Sequence, residues 1–230
     1  MADKEMALIV GVGEGLSASL ARTFKDDGID VALAARNPDK LGDLVQETGA
    51  MAYACDASDE ASVNILFADL ARDAGTPDLV VYNPSYRTRG PFVELDPGEV
   101  EKALAVTCFG AFLVGQAAAK AMVPRGSGSI FFTGASASVK GYAQSAPFAM
   151  GKFGVRGLAQ SMARELQPSN IHVAHFVIDG GIAGGGKPER DQPDAWLEPD
   201  AIARTYLEFH RQHRSIWSWE IELRPWVEKF

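Results

Sequence analysis

Cysteine is nearly absent from this chain: Cys55 and Cys108 are the only two in 230 residues. They make no metal-binding spacing and no disulfide framework, and they fit a reducing cytoplasm. Long apolar runs are missing as well. None approaches the ~18 residues of a membrane span. The opening residues Met1 to Glu5 are short and polar, without features of a signal or transit peptide. Positive charge is scarce. Twenty-two Lys and Arg face thirty Asp and Glu, a net charge of −8, which argues against nucleic acid or an anionic membrane as partner. No repeat, low-complexity tract or linker interrupts the sequence. At 47% hydrophobic content, residues 1–230 read as a single α/β domain with one sizeable core.

What is present begins with Leu8 to Ser17, reading Leu-Ile-Val-Gly-Val-Gly-Glu-Gly-Leu-Ser. The apolar residues 7–10 predict a buried strand, and a helical pattern starts at Leu16. Between them glycines fall at 11, 13 and 15. Glycine lets the backbone take positive φ and approach a ligand closely. The free N–H groups and positive dipole end of the helix then face a pyrophosphate. Strand, glycine turn, helix and a further strand over 31–35 supply the context such a motif requires. Gly11, Gly13, Glu14, Gly15 and Leu16 are therefore candidate dinucleotide contacts.

A repeating beat follows. Helices are expected over 15–27, 38–48, 58–74, 97–122, 145–166 and 200–212. Strands are expected over 31–35, 51–55, 78–83, 129–133, 172–178 and 216–223. Gly28 ends the first helix, Pro38 opens the second, and Ser58 is the expected cap of the third. Asp96 and Glu99 mark the start of the fourth. The last strand alternates, with Trp217, Trp219, Ile221 and Leu223 on one face. Strands alternating with helices imply a parallel sheet of about seven strands with helices on both faces. In such sheets ligands sit beyond the C-terminal strand ends. The glycine- and proline-rich segment 179–199 lies at that edge and reads as a flexible substrate loop. Trp226 and Phe230 in the tail suit either a subunit contact or local packing. The four histidines form no metal spacing and read as structural.

These residues together resemble the short-chain dehydrogenase/reductase family over nearly the whole chain. Gly11 and Gly15 match the first two glycines of its turn, with Ser17 in place of the third. Asp56, followed by Ala57, ends the third strand, where the family holds the adenine ring. Tyr82-Asn83-Pro84-Ser85 stands where the family reads Asn-Asn-Ala-Gly. Gly180, in Asp179-Gly180-Gly181-Ile182, matches the turn after the sixth strand. The resemblance implies a single-domain, Rossmann-like, doubly wound sheet that binds NAD(P). It also implies a homodimer or homotetramer formed through the helices near 97–122 and 145–166. The small-residue runs at 110–111 and 117–119 would let those helices pack closely.

The second strand ends Ala34-Ala35-Arg36-Asn37, without the acid that would bind the ribose 2′-hydroxyl of NAD. Arg36 is free to pair with a 2′-phosphate, which favours NADP(H) over NAD(H). Glu14 is a counter-signal. The catalytic segment departs from the family pattern. The family pairs a tyrosine with a lysine four residues on; here Lys152 is present, and Phe148 stands at the tyrosine position. The serine position falls on Ala135, beside Ser136, and the asparagine position on Thr107. A phenyl ring has no proton to give, and losing a positioned acid costs ~10²–10⁴-fold. Tyr142, Ser136, Ser138, Tyr86 or a water could replace it. Two functions are compatible with these residues. One is an NADP(H)-dependent oxidoreductase acting on a small carbonyl, alcohol or activated double bond through an atypical proton relay. The other is a catalytically silent dinucleotide-binding sensor or scaffold.

Overall fold

The computed structural model describes residues 4–184, 186 and 192–228. Its centre is a seven-stranded, wholly parallel sheet: β1 (Met6–Val10), β2 (Asp30–Ala35), β3 (Met51–Ala54), β4 (Leu79–Tyr82), β5 (Gly128–Thr133), β6 (Ile171–Ile178) and β7 (Glu220–Leu223). The spatial order is β3-β2-β1-β4-β5-β6-β7. Every residue of β1, β4 and β6 is buried. That explains the unbroken apolar runs of β1 and β4, since a strand covered on both faces has no polar side to show; β6 departs from this at the buried His172 and His175. The order reverses between β1 and β4, so the crevice beyond their carboxyl ends is where this architecture places ligands.

Two helical layers cover the sheet. On one face α1 (Leu16–Asp26), α2 (Gly42–Thr48) and α7 (Pro199–His210) bury Leu20, Phe24, Tyr206 and Phe209. On the other, α3 (Glu60–Asp73), α5 (Gly110–Met122) and α6 (Ala146–Leu166) close over Leu66, Val114, Phe132 and Val155. The helix expected over 97–122 is divided into α4 (Pro97–Leu104), one π turn (Ala105–Phe109) and α5. The wider turn accompanies a side-chain bond: the buried Tyr82 hydroxyl donates to the Val106 carbonyl. By length and composition Pro97–Met122 could cross a membrane, contrary to the expectation that no such stretch exists. Its apolar residues instead include Ala111, Leu113, Val114 and Ala118 of the core.

Two local expectations are corrected. Asp59, not Ser58, caps α3, accepting from the amides of Ala61 and Ser62 at 3.2 and 3.3 Å; Ser58 is drawn away by Asp56, whose Oδ1 accepts its hydroxyl at 2.6 Å. The last strand covers only Glu220–Leu223. Upstream of it, His213 caps a 3-10 turn over Arg214–Ile216, and Trp217 leaves the strand to stack on His172 at 4.9 Å. The segment 179–199 is fastened at its base: Ile182 bridges Leu197, the Ala183 amide reaches the Leu197 carbonyl at 2.7 Å, and Ala195 is buried. Its middle, residues 185 and 187–191, lies outside the described residues, as does Phe230. Trp226 donates its indole N–H to the Pro193 carbonyl at 3.0 Å, a local contact.

The small residues of α5 serve internal packing. A Cβ on Gly110 would lie 2.5 Å from the Tyr82 hydroxyl oxygen and 2.6 Å from the Ala57 carbonyl oxygen. Gly110→Ala is expected to lower unfolding free energy by about 1–3 kcal/mol through overpacking. Urea unfolding would show this as a lower midpoint at unchanged slope; an unchanged midpoint would mean the helix has room to move.

Candidate active site

The glycine turn is built by close approach. Gly11 has φ +82°, and a Cβ there would fall 2.6 Å from Pro84 Cγ, so both dihedral and space demand glycine. Ser17, where the family's third glycine was expected, ties the turn together. Its hydroxyl donates to the Gly11 carbonyl at 3.1 Å and accepts from Asn83 Nδ2 at 2.7 Å. Gly13, Glu14 and Gly15 are exposed, and a Cβ at Gly13 or Gly15 would meet no atom within 4 Å. Leu16 opens α1 and packs inward. The first turn of α1 has no side-chain cap and no acidic residue. The amides of Ala18 and Ser19 donate to the Gly15 carbonyl at 3.0 and 3.3 Å, which leaves those of Leu16 and Ser17 for an anion, as a pyrophosphate cradle requires.

Arg36, exposed at the end of β2, stands between two cavities. One, of about 350 Å³, is lined by Gly11, Asp56, Ala57, Asn83, Pro84 and Ser85 among others. The second, of about 460 Å³, is lined by Gly13, Glu14, Arg22, Asn37 and Lys40 among others. Lys40 was not foreseen from the sequence; it lies in one turn of 3-10 helix (Pro38–Leu41), capped by Asn37, and lines the same cavity as Arg36. The Asp56 carboxyl sits below its usual range because the Ser58 hydroxyl and amide bond to it.

A third cavity, of about 260 Å³, lies beyond β4, β5 and β6. Asn83, Ser85, Phe148, Lys152, Gly180 and Ile182 meet there, as the sequence suggested, together with Ala135 and Arg87. Lys152 is only 3% exposed, and its Nζ donates to the Thr133 carbonyl at 2.7 Å. Burial, reinforced by the Arg87 charge, pulls its ammonium down to about 7. Thr107, in the π turn, accepts the Tyr86 amide at 3.1 Å. Ser136 and Tyr142 are not among the residues lining this cavity, and Tyr142 is 48% exposed. The Tyr86 hydroxyl is committed to Glu99 at 2.6 Å.

A family profile described as short chain dehydrogenase matches residues 5–184. The chain belongs to the short-chain dehydrogenase family. It is 33% identical over 191 residues to (+)-borneol dehydrogenase 1 of Salvia officinalis, covering 79% of this chain and 72% of that one. D-threitol dehydrogenase of Mycolicibacterium smegmatis is 28% identical over 176 residues, covering 74% and 68%. Among solved structures, a short-chain dehydrogenase from Rhodopseudomonas palustris superposes with TM-score 0.84 at 33% identity, covering 96% of this chain and 99% of that one. A metagenomic short-chain oxidoreductase in complex with NADP gives TM-score 0.84 at 25% identity, covering 97% and 98%.

This short-chain dehydrogenase carries a polar chain, part-buried at Arg156 and Glu220 and fully buried at His175 and Ser138, that the sequence reading missed. Arg156 donates to Glu220 at 2.7 and 2.8 Å, and Glu220 lies 2.9 Å from His175 Nδ1. His175 Nε2 is 3.2 Å from the Ser138 hydroxyl, which accepts the Ala135 amide at 3.2 Å. These partners fit a neutral imidazole that donates from Nδ1 and accepts at Nε2. Ser138 is thereby committed and fully buried. The ring is legible only in three dimensions, because β6 and β7 must pair before His175 meets Glu220.

Burial pulls His175 down to about 4, against the opposing pull of Glu220. Between pH 6.5 and 4 the unfolded chain therefore takes up a proton that the folded chain refuses. Unfolding free energy is expected to fall as pH drops through that window, by about 3 kcal/mol in all. Urea unfolding across pH 7 to 4, with the imidazole followed by NMR, checks this. A His175 ring that titrates near 6.5 would show that the network does not form.

Proposed function

We propose that this chain is an NADP(H)-dependent oxidoreductase that moves a hydride to or from a small carbonyl, alcohol or activated double bond. The observation that carries the NADP(H) preference is Arg36, lining one cavity with Lys40, at a strand end, Ala34-Ala35-Arg36-Asn37, that has no acid. Glu14 lines the same cavity and opposes it. The NADP bound to the metagenomic relative supports the reading. When bound, the dinucleotide supplies or accepts the hydride. The glycine turn and the first amides of α1 would hold its pyrophosphate, Arg36 and Lys40 its 2′-phosphate, and Asn83, Ser85 and Ile182 would face its nicotinamide end.

The proton relay is the atypical part. In this reading Phe148, Ala135 and Thr107 stand at the family's tyrosine, serine and asparagine positions. Phe148 is then an apolar wall. Lys152 is the one described lining residue whose proton exchanges near neutrality. It would hold the ribose hydroxyls of a bound dinucleotide, and its ammonium would supply the proton to the substrate oxygen on reduction and regain one from water. Ser136 and Tyr142 would need to swing inward to serve. A second reading, a silent dinucleotide sensor, is favoured by Phe148 and Ala135 facing the cavity without a hydroxyl.

Titration of the purified protein with NADPH and NADH, followed by tryptophan-to-nicotinamide energy transfer, tests the reading. NADPH is expected to bind at least about tenfold more tightly, and Arg36→Asp to remove that advantage, as loss of a charge-assisted bond implies. Equal or reversed affinities would overturn the NADP(H) assignment. NADPH binding without turnover of any carbonyl tried would favour the sensor.

Self-association is part of the proposal. Phe109 and Phe112 stack at 6.0 Å and stay exposed, and Met150 and Phe153 are exposed on α6. Such an apolar face on neighbouring helices suits a second copy. Light scattering is expected to give at least a dimer mass, which Phe153→Asp lowers; a monomer in the unaltered protein would refute this.

A further inference from the structure

Resting on the oxidoreductase reading, we propose that the substrate carries a carboxylate, and that Arg87 is the residue that binds it. The argument starts from the ring of Phe148. This side chain is buried, and the Arg87 guanidinium carbon lies 4.0 Å from its ring centroid. An arginine stacked on an aromatic face keeps its N–H edge free for a planar anion while the ring fixes its plane. Among the described residues, Arg87 has no carboxylate partner and no hydrogen-bond acceptor; the ring contact is what positions it.

The backbone on either side of Arg87 is fixed. The Tyr86 amide donates to Thr107, the Tyr86 hydroxyl reaches Glu99, and the Lys102 ammonium stands 4.5 Å from the Tyr86 ring centroid. Three residues on, the Gly90 amide donates to the Gln144 carbonyl at 3.2 Å. Tyr86 is thus held toward α4, and Arg87 is turned to the cavity.

Charge points the same way. The chain is acidic overall, yet the described lining of this cavity includes Arg87 and Lys152 and no carboxylate. Two cations that face one small space without a counter-ion repel each other, and an entering anion relieves that repulsion. Lys152 already donates to the Thr133 carbonyl, whereas Arg87 offers a free fork suited to bidentate carboxylate binding. The ligand class is therefore an oxo acid in the reductive direction and the matching hydroxy acid in the other. Phe148 gains a purpose that a tyrosine hydroxyl is not needed for: it is the platform of the anion-binding arginine.

The test is calorimetric titration of the protein saturated with NADP⁺. The probes are pyruvate, acetoacetate, levulinate and 2-oxoglutarate, each beside its methyl ester. NADP⁺ binding is measured first on the same sample, and turnover of the same acids with NADPH is measured beside it, so failure of the dinucleotide site or of the oxidoreductase reading shows in those two readouts and not in the acid-against-ester comparison. At least one acid is expected to bind about ten- to hundredfold more tightly than its ester. Arg87→Met, which keeps the stem over the ring, is expected to abolish that difference, and Arg87→Lys to restore part of it. With NADP⁺ bound, acids and esters of equal affinity, no acid bound at all, or an Arg87→Met variant that still prefers the acid would each overturn the proposal.

Discussion

The contact on which the rest of this structure depends is the approach of the turn after β1 to the turn after β4. Gly11 and Pro84 touch where no side chain could stand between them, and Ser17 and Asn83 bond across the same seam. This is the place where the strand order reverses. The same packing closes the sheet's centre and leaves the amides of α1 facing outward. The fold and the dinucleotide cradle are therefore one construction, and neither can be altered at Gly11 without the other.

Much of this was legible in the sequence. Buried parallel strands announce themselves as apolar runs, and the glycines, Asn83 and Gly180 sit at strand ends that the alternating pattern already located. Legibility failed where two local interactions competed. Ser58 and Asp59 are both good caps, and the choice was made by Asp56, which engages Ser58. Trp217 keeps the alternation of a strand, yet the face of His172 holds it outside the sheet. The division of the long helix at 105–109 coincides with a bond from a tyrosine in β4, which no helical periodicity could reveal.

The catalytic end illustrates a different limit. A family pattern told which positions to inspect, and Lys152, Phe148 and Ala135 are indeed gathered around one cavity. What the pattern could not tell was what lies against the ring of Phe148. Arg87 lies far from Phe148 in sequence, in a loop of irregular structure, and nothing in its neighbours marks it. Its meaning comes from the ring beneath it. Likewise, the exposure of Tyr142 and the commitment of Ser138 to His175 could not be read from residue type alone.

The bridge between Ile182 and Leu197 has a consequence of its own. It closes the intervening chain into a ring whose two ends are fixed next to each other, while Ile182 remains part of the cavity wall. The entropy of closing such a ring rises only slowly with its length. Residues can therefore be gained or lost inside the ring with little effect on where Ile182 stands. In evolutionary terms this separates two kinds of change: the length of chain between Ile182 and Leu197 is open to variation, while the place of Ile182 in the cavity wall is not tied to it.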